Sequence, residues 1–228
     1  MKQTLLLAGL LIAATALAPA AASAEPGVLD IHLLGGYSFV SNTLFDVRSD
    51  ECFDQKRSKD IDDDSRLDPG FLYGVGVSLF PTKGFVQVAF GAELFYARTE
   101  GKLKGNAELD GERRAYDFGT RLETGQLYLN VKLMFGNKAF RPYGLFGAGV
   151  AYTQYTVSQM KQDNYAGCMN LAWGFDFWLG DRISLGLQLR FTDLLPHRYW
   201  YEPDEANLYK VEIHHLPVSG LIDIGFHF

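Results

Sequence analysis

Apolar and polar residues alternate along eight segments of the chain, each about as long as a β-strand. The clearest segment is 183–191, where the odd positions hold Ile, Leu, Leu, Leu and Phe and the even positions hold Ser, Gly, Gln and Arg. A period of two residues is typical of a strand whose two faces meet different surroundings. One predicted strand is apolar on both sides around 143–152, so the pattern leaves its facing open. The predicted strands cover residues 28–40, 69–80, 85–97, 122–135, 140–155, 167–179, 183–193 and 217–228.

The connections between these strands alternate in length. Short turns rich in Gly, Pro, Asn and Asp follow the second, fourth and sixth strands, and these residues favour tight turns. Longer polar connections follow the first, third, fifth and seventh strands, and the largest of them cover 41–68, 98–121 and 194–216. Short turns at one end and long loops at the other are typical of a barrel in the bacterial outer membrane, with the long loops outside.

The bulk of the two faces predicts which one points outward. Alternation alone also fits a secreted lipocalin-like barrel, which has its apolar face inside. An eight-stranded barrel has an interior just wide enough for side chains to fill, and Leu, Phe, Trp, Val and Ile occupy nearly every position of the apolar faces. The opposite faces carry mostly Gly, Ala, Ser, Asn and Gln. We therefore predict an all-β fold, an eight-stranded antiparallel transmembrane barrel of up-and-down topology with a polar interior.

The N-terminal residues have the composition of a cleaved export signal. Lys2 precedes an apolar run at 5–18, and Ala-Ser-Ala at 22–24 supplies the small residues of a cleavage site. We expect a signal peptide at 1–24 and one barrel domain at 25–228. The formal net charge of −6 argues against nucleic-acid binding. No second apolar stretch is long enough for a membrane-spanning helix.

The last predicted strand ends on two aromatic residues of its apolar face, Phe226 and Phe228. This ending resembles the signal by which outer-membrane barrels are handed to the assembly machinery. With the export signal, the eight strands and the loop asymmetry, the chain resembles the OmpA-like and OmpX/OmpW-like families of small outer-membrane barrels. The resemblance is one of architecture over nearly the whole mature chain. It implies the outer membrane of a Gram-negative bacterium and no particular activity.

Charged side chains on the predicted inner faces are costly unless they pair. Counted upward from the short turns, Glu93 and Arg190 lie at one height, and Lys132 and Asp176 lie at a lower one. We predict two polar tiers, each closed by an ion pair. One interpretation is a structural plug; the alternative is a gate whose ion pairs exchange partners to open a narrow path. The predicted lumen network consists of Glu93, Arg190, Lys132, Asp176, Asp223 and His32.

Two cysteines map to the predicted external end. Cys52 lies in the first long loop, and Cys168 lies at the outer start of the sixth strand. Disulfides persist in such an oxidising compartment, so a bridge between Cys52 and Cys168 that pins the loop across the mouth is predicted. The alternative is two unpaired thiols.

The loops carry candidates for recognition. Four aspartates lie within 60–64, and such oxygen-rich clusters can hold Ca²⁺ or Mg²⁺; the spacing does not match an EF-hand, and we expect a solvated loop. Basic residues nearby, including Arg66, are candidates for contact with lipopolysaccharide phosphates. The last loop holds Tyr199, Trp200 and Tyr201, which serve either recognition or the aromatic girdle of the membrane interface.

We predict no enzyme, no catalytic residue, no cofactor and no bound metal. Three histidines, His197, His214 and His215, map to the outer end, where lipid-A-modifying barrels work, but the His-x-Ser-Asn motif of a deacylase is missing. The leading hypothesis is a monomer with a structural or surface-interaction role through its extracellular loops. Its expected partners are outer-membrane lipids, lipopolysaccharide and the assembly machinery. The alternatives are a narrow channel for small solutes or apolar molecules and, less favoured, a lipid-A-modifying enzyme.

Overall fold

The computed structural model describes residues 29–49, 66–81, 84–109, 112–136, 139–158, 160–180, 182–204 and 207–228. Within these residues no helix is long and apolar enough to span a membrane. The strands of the described chain are β1 (Leu29–Ser49), β2 (Arg66–Leu67), β3 (Phe71–Leu79), β4 (Val86–Leu109), β5 (Glu112–Phe135), β6 (Phe140–Val157), β7 (Met160–Trp178), β8 (Ile183–Asp204) and β9 (Asn207–His227).

Eight of these strands form a closed antiparallel ring. Each strand pairs with its neighbour in the chain, and β1 pairs with β9 to close the ring. The two-residue strand β2 continues the line of β3 along β4, beyond an interruption that contains Pro69. A proline there has no N–H to donate to the ladder. The prediction of an eight-stranded up-and-down barrel is confirmed.

The long connections predicted at 98–121 and 194–216 are largely strand, so that part of the prediction is wrong. β4 and β5 pair through nearly the whole of the first segment, and β8 and β9 pair through much of the second. β1 also reaches into the predicted loop at 41–68. Backbone hydrogen bonds between the paired strands stabilise these extensions. Their sequences lack a regular alternation of apolar residues, which is the pattern by which a strand is recognised in a sequence.

Large apolar side chains cover the outside of the ring, whereas the charged lumen residues point into it together with apolar ones such as Phe95 and Leu122. On β5, Leu129 is 71% exposed, while its neighbour Tyr128 is fully buried. β6, whose facing the sequence left open, turns Tyr143 and Leu145 inward and Phe146 outward. The described outer surface of the ring is therefore apolar, as the volume of the side chains predicts, whereas the interior combines buried polar groups with apolar clusters and is less polar than predicted.

Glycines shape the three tight turns. Gly84, Gly136 and Gly180 have φ angles of +133°, +113° and +88°, a region that residues with a Cβ rarely adopt. These turns mark one end of the ring, which we call the turn end. The long extensions of β4–β5 and β8–β9 lie at the other, which we call the hairpin end.

A substitution on β1 tests how closely the first and last strands approach. A Cβ at Gly36 would collide with the backbone of Gly220 and Leu221 on β9, whereas a Cβ at Gly35 would meet nothing within 4 Å. We expect Gly36→Val to lower the free energy of unfolding by about 1–3 kcal/mol, because one of the two strands must move. Gly35→Val is the matched control and should leave it nearly unchanged. Urea unfolding in detergent micelles measures both, and equal effects would contradict the close approach.

Candidate functional site

The lumen of the ring contains an ion pair that crosses from one wall to the other. β4 and β8 lie on opposite sides of the eight-stranded ring. From these strands, Arg190 Nη2 donates to Glu93 Oε2 at 2.5 Å. Arg190 Nε donates to Gln188 Oε1 at 3.1 Å, and the guanidinium lies 4.3 Å above the ring of Phe95. The arginine is only 1% exposed. Because the pair reaches from β8 to β4 on the opposite wall, this upper tier spans the full width of the interior.

A second tier lies nearer the turn end. Lys132 Nζ on β5 donates to Asp176 Oδ2 on β7 at 3.1 Å. The same ammonium lies 3.8 Å from the ring centre of Tyr143 on the intervening strand β6. Gln188 Nε2 donates to the Tyr143 hydroxyl at 3.2 Å. Because Gln188 also accepts from the arginine of the upper tier, the two tiers form one connected network.

The remaining pair of the predicted network joins the first and last strands. His32 Nδ1 on β1 lies 3.0 Å from Asp223 Oδ2 on β9, and both side chains are buried. The structure thus brings the six predicted lumen residues together as three pairs. Each pair links different strands; the two tiers reach across the interior, whereas His32 and Asp223 join the neighbouring strands β1 and β9.

The turn end is closed by a cluster that sequence reasoning missed. His227 Nε2 and Ser184 Oγ are 2.9 Å apart, and His227 Nδ1 lies 2.6 Å from Asp30 Oδ1. The indole of Trp178 stacks on the imidazole at 3.7 Å between ring centres, and the Arg141 guanidinium lies 4.5 Å above that indole. The sequence does carry one indication of this cluster. His227, Ser184 and Asp30 each occupy an inward-facing position in the alternation of their strand, close to the strand end.

Ser184, His227 and Asp30 are connected in the order serine, histidine, aspartate, as in the catalytic triad of a hydrolase. A catalytic triad works only where a substrate can reach the serine hydroxyl. Ser184, His227 and Asp30 are each less than 5% exposed, and the indole covers the imidazole. The cluster therefore packs closely at the turn end and offers no accessible nucleophile, although His227 Nδ1 and the Trp178 indole N–H have no hydrogen-bond partner of good geometry.

An apolar cluster fills the interior toward the hairpin end. Its buried members are Leu67, Leu103, Leu122, Tyr155, Val157, Tyr199 and Ile213. Tyr199, predicted on an exposed loop, instead points into the ring with 2% exposure and donates its hydroxyl to Thr153 Oγ1 at 2.7 Å. The prediction of an exposed loop is therefore wrong for Tyr199. β8 continues through this position, and the alternation of side chains along the strand turns the Tyr199 side chain into the barrel. The side chains of Trp200 and Tyr201 lie outside the described part of the structure.

Cys168 lies inside the ring and not at its mouth. It is 2% exposed and belongs to a buried cluster with Phe95, Tyr128, Leu194 and other apolar residues. Its thiol is free of any disulfide, so the predicted bridge to Cys52 is not seen; Cys52 itself lies outside the described residues. The inward parity of position 168 on β7 accounts for this burial.

The other predicted features divide between the surface and the undescribed residues. Phe228 is 41% exposed on the outer surface, and its backbone N–H donates to Leu29 O at 2.9 Å across the closing seam. Phe226 occupies the same outward face of β9. The signal segment at 1–24 and the aspartates at 60–64 lie outside the described residues. Among those that are described, no group of three or more His, Cys, Asp or Glu side chains could hold a metal ion.

A comparison with protein families adds to these observations. The model of a family described as outer membrane protein beta-barrel domain matches residues 5–216 of the chain. No curated protein sequence matches it.

The ring is also similar to solved structures of bacterial barrels. The outer membrane protein OprG of Pseudomonas aeruginosa is 18% identical to this chain in sequence. The superposition covers 89% of this chain and 97% of the OprG chain, with a TM-score of 0.56. The outer membrane protease OmpT of Escherichia coli is 8% identical, with coverage of 89% and 94% and a TM-score of 0.53. The N-terminal β-barrel domain of P. aeruginosa OprF is 13% identical, with coverage of 90% and 100% and a TM-score of 0.42. At such identities the likeness shows the fold alone.

Proposed function

Because the chain belongs to the outer membrane protein β-barrel family, and so resides in the outer membrane of a Gram-negative bacterium, we propose that it is a non-conducting barrel that presents its long hairpins at the cell surface. The apolar outer surface faces lipid in this setting. On β5, exposed apolar residues recur from Leu127 to Phe135. That span is close to the roughly 9–11 residues that a strand needs to cross a bilayer.

One observation carries the proposal of a closed lumen: the ion pair of Arg190 and Glu93 joins opposite walls. An open channel would keep water between such groups, and each would be solvated separately. Here the guanidinium is instead buried against the ring of Phe95. The Lys132–Asp176 pair and the turn-end cluster occupy the levels below, and an apolar cluster occupies the level above. This sequence of filled levels supports a scaffold over a channel.

The extensions at the hairpin end support a role at the cell surface. β4 and β5 pair well above the level of Leu127, as far as Leu109 and Glu112. β8 and β9 pair to Asp204 and Asn207. Paired strands present their side chains on a more rigid support than a loop does. We propose that these hairpins, in a monomeric barrel, are the parts that meet lipopolysaccharide or external partners.

The assembly machinery is a further proposed partner. Phe226 and Phe228 share the outward face of β9 next to the seam with β1, where another protein can reach them before the ring closes. No catalytic role is proposed. The likeness to a protease barrel is 8% in identity and carries over the fold only, while the Ser184–His227 pair is buried.

Labelling of single cysteines in intact cells tests the surface presentation. In a Cys52→Ser/Cys168→Ser background, we expect Lys104→Cys, on the exposed extension of β4, to react with a membrane-impermeant maleimide. Arg182→Cys, at an exposed position of the turn end, is the matched control and should react only after the cells are broken. Labelling of the Arg182 position alone in intact cells would contradict the proposed orientation.

A further inference from the structure

The seam between β1 and β9 joins the first and last strands of the ring, so no hairpin turn links them at the turn end. The other strands are linked in pairs there by the three tight turns that contain Gly84, Gly136 and Gly180. At the seam the last backbone hydrogen bond runs from the Phe228 N–H to Leu29 O, at 2.9 Å. Unlinked strand ends open more readily than linked ones. Side-chain contacts across this end of the seam therefore matter more for keeping the ring closed.

Two contacts between a histidine and an aspartate cross the seam at this end. Asp30 lies directly opposite His227 in the strand register, and its Oδ1 is 2.6 Å from His227 Nδ1. Farther from the strand ends, His32 Nδ1 lies 3.1 Å from Asp223 Oδ1 and 3.0 Å from Asp223 Oδ2. The four side chains are only 2–5% exposed. Both contacts form only when the first strand meets the last.

The charged groups that face His32 come from four strands. They are Asp30 on β1, Lys132 on β5, Asp223 on β9 and Glu93, which approaches from β4 over Gly76. Two of them already have partners of opposite charge, since Glu93 pairs with Arg190 and Lys132 pairs with Asp176. In the part of the chain that the structure describes, Asp223 forms a hydrogen-bonded ion pair with neither a lysine nor an arginine.

The burial of Asp223 determines which charge state of His32 fits the interior. A buried carboxylate without a counter-charge is costly, and the imidazole of His32 is the group at hydrogen-bond distance that can supply one. His32 Nε2 has no hydrogen-bond partner among the described residues, so no second contact competes with Asp223 for the proton. A charged imidazole completes an ion pair across the seam. A neutral one leaves only a hydrogen bond to an uncompensated carboxylate.

We propose that His32 is a proton-dependent contact that holds the turn end of β1 against β9 while its imidazole is charged, and holds it more weakly once the proton is lost. In the unfolded chain water solvates both groups, so the closed ring binds this proton more tightly than the unfolded chain does. The contribution to stability is therefore present at acidic and neutral pH and is lost as the pH rises. This pH sensitivity goes beyond the proposed surface role and does not depend on whether the lumen conducts.

Urea unfolding of the full barrel in detergent micelles at pH 6 and pH 9 tests the proposal. His32→Gln keeps an N–H donor for Asp223 but cannot become charged. We expect it to raise the unfolding constant about tenfold at pH 6 and to have little effect at pH 9. His214→Gln is the matched control, because His214 Nε2 also lies 2.8 Å from a carboxylate, that of Asp193, but the two side chains are 28% and 38% exposed. Its effect should be small and equal at both pH values.

Hydrogen exchange of the wild type supplies a measurement that does not depend on the folding of a variant. After correction for the intrinsic effect of pH on exchange, we expect the protection of residues 29–34 to fall about tenfold between pH 6 and pH 9. Residues 131–135, which end at the turn of Gly136, should keep theirs. Equal losses in the two segments would overturn the proposal. An effect of His32→Gln that is the same at both pH values, or that His214→Gln reproduces, would overturn it as well.

Discussion

Glu93→Ala is expected to lower the free energy of unfolding by about 3–5 kcal/mol. The substitution leaves the Arg190 guanidinium buried, at 1% exposure, without the carboxylate that neutralises it. Arginine cannot relieve this by losing its proton. The neighbouring Gln188 and the ring of Phe95 solvate the charge only in part. Urea unfolding of the barrel in detergent micelles, followed by tryptophan fluorescence, measures the loss.

The control for this prediction removes the arginine as well. In Glu93→Ala/Arg190→Met no charge remains in the upper tier, and the methionine side chain occupies part of the same volume. We expect the double variant to be more stable than Glu93→Ala alone, because breaking a buried pair costs more than replacing it. A double variant less stable than the single one would show that the upper tier acts by packing and not by charge.

Asp176→Ala is expected to cause the second large loss, and this loss should depend on pH. Lys132 loses the carboxylate 3.1 Å away and keeps the face of Tyr143 and the weaker attraction of the Asp223 carboxylate. At neutral pH we expect a cost of about 3 kcal/mol. Unlike arginine, a buried lysine can fold in its neutral form by releasing its proton. The unfolded state then binds more protons than the folded one, so stability rises with pH.

The two single variants are controls for each other. Unfolding measured at pH 7 and at pH 9.5 should show the deficit of Asp176→Ala shrinking relative to the wild type. The deficit of Glu93→Ala should stay nearly constant. If both deficits responded to pH alike, the difference between a lysine and an arginine in this interior would not be the cause.

Strand number, facing and the residues of the lumen network could be predicted because they follow from a period of two. In segment 183–191 one parity is bulky and the other small or polar, and only the polar parity fits inside a ring of eight strands. Once the faces are assigned, Glu93, Lys132, Asp176 and Arg190 point into one narrow interior. Opposite charges must then meet, because no buried charge is tolerated without a partner.

The hairpin end could not be predicted in the same way. Beyond the lipid band the outward face of a strand meets water and the inward face holds apolar and polar residues alike, so β4 and β5 continue there without a clear apolar alternation. The inward burial of Tyr199 follows from the parity of the continued strand β8, which a loop assignment conceals. Cys168 already lay in a predicted strand, on the inward parity of Asn170, and that parity indicated burial in place of a position at the mouth. The turn-end cluster around His227 was missed for a related reason. Its members stand at the ends of strands, where a short segment gives parity little support.

Single-channel recording in planar bilayers tests the closed lumen most directly. The purified wild-type barrel, inserted from detergent, is predicted to add no discrete current steps to the bilayer. Arg190→Ala should also stay silent, because the Lys132–Asp176 pair and the two end clusters still fill the interior. Steps from the variant alone would favour a gate at the upper tier. Reproducible steps of uniform size from the wild type would contradict the closed lumen.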